Sequence, residues 1–129
     1  MNIFRGFLRT QAQALQCHTN VQVAGLVGCN LLFNIVANSS FKLSAASSNW
    51  RGFLAWQVVG NLAGLATVLT LTWLLKFLPL HVAYPVTVGL AIIGVQVVGA
   101  ALLFHEGIAA RQWVGTLLVA AGIFLIGGR

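Results

Sequence analysis

Acidic side chains are almost missing from this sequence: Glu106 is the only one in 129 residues. It lies between apolar blocks, not within one. Chemistry that needs a membrane-buried carboxylate is thereby excluded, and so is any mechanism built on two carboxylates. A Ser/His/Asp set, a phosphate-cradling loop and a cluster of metal ligands are also missing, so neither an enzyme nor a cofactor is expected. The two cysteines, Cys17 and Cys29, are too few for a disulfide framework or a metal site and read as inert thiols. Charge of either sign is scarce, at 6% of residues against about 25% in soluble domains. No polar stretch is long enough to form a separate soluble domain.

Apolar residues fill that space, at 59% of the chain. A surface so poor in charge would not stay in water, so the solvent of this protein is lipid. The net charge of +6 comes from seven Lys and Arg residues spread singly along the chain. Without a basic cluster they do not suit nucleic acid. They fit interfacial anchors meeting anionic headgroups.

The pattern predicts an all-α polytopic membrane protein, a four-helix transmembrane domain over residues 21–129 preceded by an arm over residues 1–20. In the arm, Ile3, Phe4, Phe7, Leu8, Ala12 and Leu15 recur at helical spacing among Arg5, Arg9, Gln11 and Gln13. That reads as a short amphipathic helix in the membrane interface, not as a signal peptide. Spans are expected at about residues 21–41, 52–77, 81–104 and 111–127, each near the length needed to cross ~30 Å of hydrocarbon. Pro85 predicts a local kink in the third. Arg5, Arg9, Lys76 and Arg129 would share one side of the membrane, and Lys42, Arg51 and Arg111 the other. That bias favours cytoplasmic termini in the inner (plasma) membrane, and it is weak enough to leave dual insertion open.

Asn30, Asn34, Asn38 and Lys42 are spaced four apart, which puts three amides and a cation on one helical face. Polar groups at membrane depth must be partnered. Two readings stay open: bonds across to Gln57, Asn61 or Gln96, or the lining of a wet cavity. Three amides on one face exceed what packing needs, which favours the cavity. Gly60 and Gly64 form a G-x-x-x-G pair, and Gly115 and Gly122 lie seven apart on the last span, both patterns of close helix contact. On composition alone, Tyr84 and His81 read as interfacial residues. Glu106 reads as a cap on the last helix, whose N-terminus favours negative charge.

The stretches LPLHVAYPVTVG and LLFHEGIAARQWVGTLLVAAGIFLIGG resemble the C-terminal half of four-helix drug/metabolite transporters. The simplest of these are the small multidrug resistance proteins. The likeness extends to the small subunits of the undecaprenyl-phosphate-aminoarabinose flippase, which share an "AYP" at the third span and a "HEP"-type turn before the fourth. The resemblance implies a four-helix fold that pairs with a second copy or a related four-helix protein. It implies substrate held between the first three helices and dimer contact through glycines matching Gly115 and Gly122. Tyr84 matches the tyrosine that lines the pocket, and Lys42 the lysine that closes the first helix. Multidrug members place a proton-binding glutamate where this chain has Asn34, and a tryptophan where it has Thr87. An amide does not exchange a proton, so proton-coupled export of cations is not expected, and the departure favours the flippase branch.

The expected function is transport or flipping of an amphipathic or lipid-linked, anionic substrate, in contact with Asn30, Asn34, Asn38, Asn61, Tyr84 and Lys42. The alternative is a non-transporting accessory or structural subunit of a larger membrane complex. The expected partners are the lipid bilayer and another four-helix chain.

Overall fold

The structure is a computed structural model that describes the backbone of residues 2–127 and the side chains of residues 16 and 18–126. Among the described residues there are four α-helices and one helical extension. Helix α1 runs over Asn2–Ala46, α2 over Trp50–Leu74, α3 over Leu80–Gly94 and α4 over Ala110–Gly127. Helix α3 continues as a π-helix over Val95–Leu103.

Helix α1 is unbroken for 45 residues, or ~67 Å at ~1.5 Å per residue. Residues 2–20 are helical, but no break separates them from the first span. No Gly or Pro occurs from residue 7 to residue 24, so nothing in the sequence interrupts the helix there. The apolar face expected on residues 1–15 lies outside the described side chains. The part of α1 long and apolar enough to cross a membrane is His18–Ala46.

Helix α2 starts where Asn49, in extended conformation, accepts the Gly52 N–H on Oδ1 at 2.6 Å, an N-cap that satisfies one of the free amides of the first turn. Only residues 47–49 separate the two helices, because α1 extends to Ala46. Ser44 is buried and donates its hydroxyl to the Phe53 carbonyl at 2.8 Å, tying the two helices together. Pro79 supplies the extended residue before α3, a position where its missing N–H costs nothing. Helix α3 then passes through Pro85 without interruption. The departure from α geometry comes later, at Val95, where the π-helix begins.

Helices α2 and α3 with its π-helical extension are also long and apolar enough to span, while α4 has a shorter apolar run of Ala110–Ile126. At ~1.5 Å per residue, the 18 residues of α4 reach ~27 Å, close to the ~30 Å hydrocarbon layer.

Polarity is inverted relative to a water-soluble fold. Asn30, Ser40, Ser44, Thr87 and Thr116 are buried, whereas Leu117, Leu118, Phe124 and Leu125 are 68–79% exposed. Leucine and phenylalanine facing outward suit a lipid solvent, in which apolar burial does not drive association. Packing must then come from close approach. Glycines supply it: Gly60 of α2 lies against Phe41 of α1, Gly94 of α3 against Leu31 of α1, and Gly89 of α3 against Ile123 of α4. Helices α1 and α2 form the most extensive contact, α3 leans on both, and α4 packs on α3. Among the described residues, α4 has no packing contact with α1 or α2.

Candidate functional site

Three helices enclose a cleft of about 600 Å³. Asn30, Asn34 and Asn38 of α1 line it with Thr67 of α2, facing Tyr84, Val88 and Ile92 of α3 and Gln96 of the π-helix. The α1 side is therefore polar, α2 adds Val68 and Leu71 beside Thr67, and the α3 side is largely apolar with Thr87 among its residues. The three asparagines recur every four residues, so a single helical face carries them all into the cleft.

Their amides form a ladder. Asn30 is 3% exposed and reaches across to α2, donating from Nδ2 to the Thr67 carbonyl at 2.8 Å and to Thr70 Oγ1 at 3.0 Å. Asn34 donates from Nδ2 to the Asn30 carbonyl at 3.0 Å and to Asn30 Oδ1 at 3.1 Å. Asn38 repeats the step, donating to the Asn34 carbonyl at 2.9 Å. Bonding across helices and lining a cavity are thus divided among the three. Asn30 joins α1 to α2, and Asn34 and Asn38 bond only within α1.

The expected cross-helix partners are corrected. Neither Gln57, Asn61 nor Gln96 meets the α1 amides; Thr67 and Thr70 do. Asn61 is exposed and donates to Gln57 O on its own helix at 2.7 Å, away from the cleft lining. Gln96 lines the cleft but accepts on Oε1 from Thr116 of α4 at 2.6 Å. The spacing of Thr67 and Thr70, three apart on α2 and so on one face, is the sequence signal that could have marked them as the facing residues.

Lys42 and Tyr84 lie at different places. Tyr84 lines the cleft. Lys42 lines an adjoining cavity of about 130 Å³, which shares Asn38, Val95 and Ala100 with the cleft and is closed by Phe104 and Glu106. There Lys42 pairs with Glu106 and lies over the Phe104 ring. Glu106 therefore does not cap α4; Gln112 does, accepting the Ala109 N–H on Oε1 at 2.7 Å. The π-helix explains the change. Its last turns bond Phe104 N–H to Gly99 O and Glu106 N–H to Ala100 O. His105 then adopts φ 50°, a left-handed turn in which the chain bends, and Glu106 meets Lys42.

The remaining glycines of the sequence pattern lie in open space. A Cβ at Gly64, Gly115 or Gly122 would meet nothing within 4 Å. Cys29 is a free, exposed thiol, and Cys17 lies outside the described side chains. Among the described residues no group of His, Cys, Asp and Glu could hold a metal ion.

The family model for the Small Multidrug Resistance protein matches residues 23–119, which include every residue lining the cleft. The chain belongs to the small multidrug resistance family. As a member of that family it is a multi-pass membrane protein, and the family points to transport, not catalysis. Among curated proteins, one named "Probable 4-amino-4-deoxy-L-arabinose-phosphoundecaprenol flippase subunit ArnE" from Aeromonas salmonicida is 32% identical over 83 residues, covering 63% of this chain and 70% of that protein. A protein of the same name from Enterobacter sp. is 42% identical over 77 residues, covering 60% of this chain and 67% of that protein. No solved structure matches the chain.

Proposed function

We propose that this small multidrug resistance protein is a flippase subunit of the inner membrane, moving an amphipathic, lipid-linked substrate that is anionic through its phosphate. The two-sided cleft carries the reading. Amides and a threonine on α1 and α2 suit a polar headgroup, and Tyr84, Val88 and Ile92 suit its apolar surfaces. The names of the ArnE relatives support a sugar linked to phosphoundecaprenol as the class of substrate. The only acidic residue, Glu106, is held by Lys42 outside the cleft, so no carboxylate lines the cleft to exchange protons with a cationic drug.

The relatives are named as subunits, which supports a second four-helix chain, a copy or a relative, as partner. The open faces of Gly115 and Gly122 on α4 support the same reading. The accessory role is the competing reading.

The test is flipping of a fluorescent polyprenyl-phosphate sugar in proteoliposomes, with the chain alone and with a co-expressed related four-helix protein. Transport in either arm, reduced at least tenfold by Asn34→Leu, is the expected result. Full activity in the Asn34→Leu variant would remove the cleft as the route. No transport in either arm, together with a stable stoichiometric complex with a large unrelated membrane protein, would establish the accessory role.

A further inference from the structure

Most hydrogens of the three α1 amides are already committed, which limits what each can offer a ligand. Asn34 spends both Nδ2 hydrogens on Asn30, one on its backbone carbonyl and one on its Oδ1. Asn38 spends one on the Asn34 carbonyl. Asn30 spends both on Thr67 and Thr70. These orientations are settled by chemistry. A backbone carbonyl only accepts, so the amide atom facing it must be the nitrogen; the flipped amide would press two acceptors together. Asn34 is left with Oδ1 alone to offer, and Asn38 with Oδ1 and one N–H. Thr87 donates its hydroxyl back to the Ala83 and Tyr84 carbonyls, leaving only oxygen lone pairs. No Lys, Arg or His lines the cleft.

We infer, on the flippase reading above, that the cleft holds the sugar of a lipid-linked substrate by accepting hydrogen bonds from its hydroxyl or ammonium groups, while the phosphate stays outside. A phosphate needs a counter-charge as well as donors when water is removed; Gln96 Nε2, the Tyr84 hydroxyl and one Asn38 N–H can donate here, but no cation lines the cleft. A protonated amine or a ring hydroxyl has the opposite needs and finds them met. Asn34 and Asn38 stand one turn apart, ~6 Å along the axis, comparable to the separation of substituents across one sugar ring. Tyr84 on α3 brings an aromatic ring to the same cleft. The nearest cation, Lys42, sits in the adjoining cavity and is already paired with Glu106.

Three probes test this on the full chain in detergent: a short-chain polyprenyl-phosphate amino sugar, its N-acetylated form, and polyprenyl phosphate without sugar. The amino sugar lipid is expected to bind at least tenfold more tightly than the bare lipid phosphate, with the N-acetylated form between them. Asn34→Leu should erase that preference. Because Asn34 also bonds Asn30, Asn38→Leu serves as the second variant, and it too should reduce the preference. Equal affinity for the bare lipid phosphate, or a preference unchanged in both variants, would overturn the inference. Proteoliposomes separate it from the transport reading. Flipping of all three probes at equal rates keeps transport and overturns the acceptor assignment. Selective binding without flipping keeps the acceptor assignment and overturns transport.

Discussion

Lys42 Nζ is paired with Glu106 and lies 4.6 Å from the centre of the Phe104 ring. One contact thus ties α1 to the turn after the π-helix, next to the amide ladder. The pair also accounts for the charge of the only acidic residue. Its side chains remain 42% and 47% exposed, so water screens them, and exposed pairs contribute under about 1 kcal/mol. A double-mutant cycle of Lys42→Met and Glu106→Gln, read by unfolding in detergent, should give a coupling below ~1 kcal/mol. A coupling of ~3 kcal/mol or more would mean that the pair is desolvated.

Asn30 should matter for stability where Asn61 does not. Asn30 is buried and joins α1 to α2 through Thr67 and Thr70. Asn30→Ala should cost about 1–2 kcal/mol, since it removes both bonds to α2 and the Oδ1 that accepts from Asn34. Asn61→Ala, at an exposed amide bonded within its own helix, should stay within ~0.5 kcal/mol. Denaturant unfolding of both variants in the same detergent decides the order.

The two glycines of the G-x-x-x-G pair should respond differently. A Cβ at Gly60 would come within 2.5 Å of Phe41 Cε1, while one at Gly64 meets nothing within 4 Å. Gly60→Ala is expected to destabilise by about 1–3 kcal/mol through overpacking, and Phe41→Ala should relieve most of it. Gly64→Ala should be neutral, or stabilise by up to ~1 kcal/mol through helix propensity. Equal effects at the two positions would contradict this packing.

The proposed pairing through Gly115 and Gly122 can be tested apart from the fold of one chain. Among the described residues, nothing lies within 4 Å of a Cβ at either position, so Gly115→Leu and Gly122→Leu should leave helicity and melting of the monomer unchanged. Chemical cross-linking in membranes should show loss of the paired species. Pairing that survives both substitutions would place the contact on another face.

Fold class was legible because membranes impose it. Long apolar runs must become helices where no water can satisfy the backbone. The ends of those runs were less legible. Residues 1–20 looked like a separate arm because Arg5 and Arg9 interrupt the apolar pattern. Polarity changes without a Gly or Pro do not stop a helix, and α1 runs straight on. The π-helix was not foreseen; Val95–Leu103, which packs against α1, carries the same apolar composition as an ordinary span. Spacing put Asn30, Asn34 and Asn38 on one face, but the division of labour among them was hidden. It depends on which side chains of α2 stand opposite, and those are Thr67 and Thr70, not the longer amides that the sequence suggested.

Composition and periodicity by themselves determined that this chain lives in lipid as four helices, with no carboxylate inside a span and an amide stripe along the first. Those properties follow from single segments and the solvent around them. Only the tertiary structure decided that Asn30 clamps α2, that Asn34 and Asn38 bond within α1 while lining the cleft, and that Glu106 meets Lys42 instead of capping α4. Each depends on groups far apart in sequence competing for the same hydrogen or charge, and that competition has an outcome only once the helices are packed.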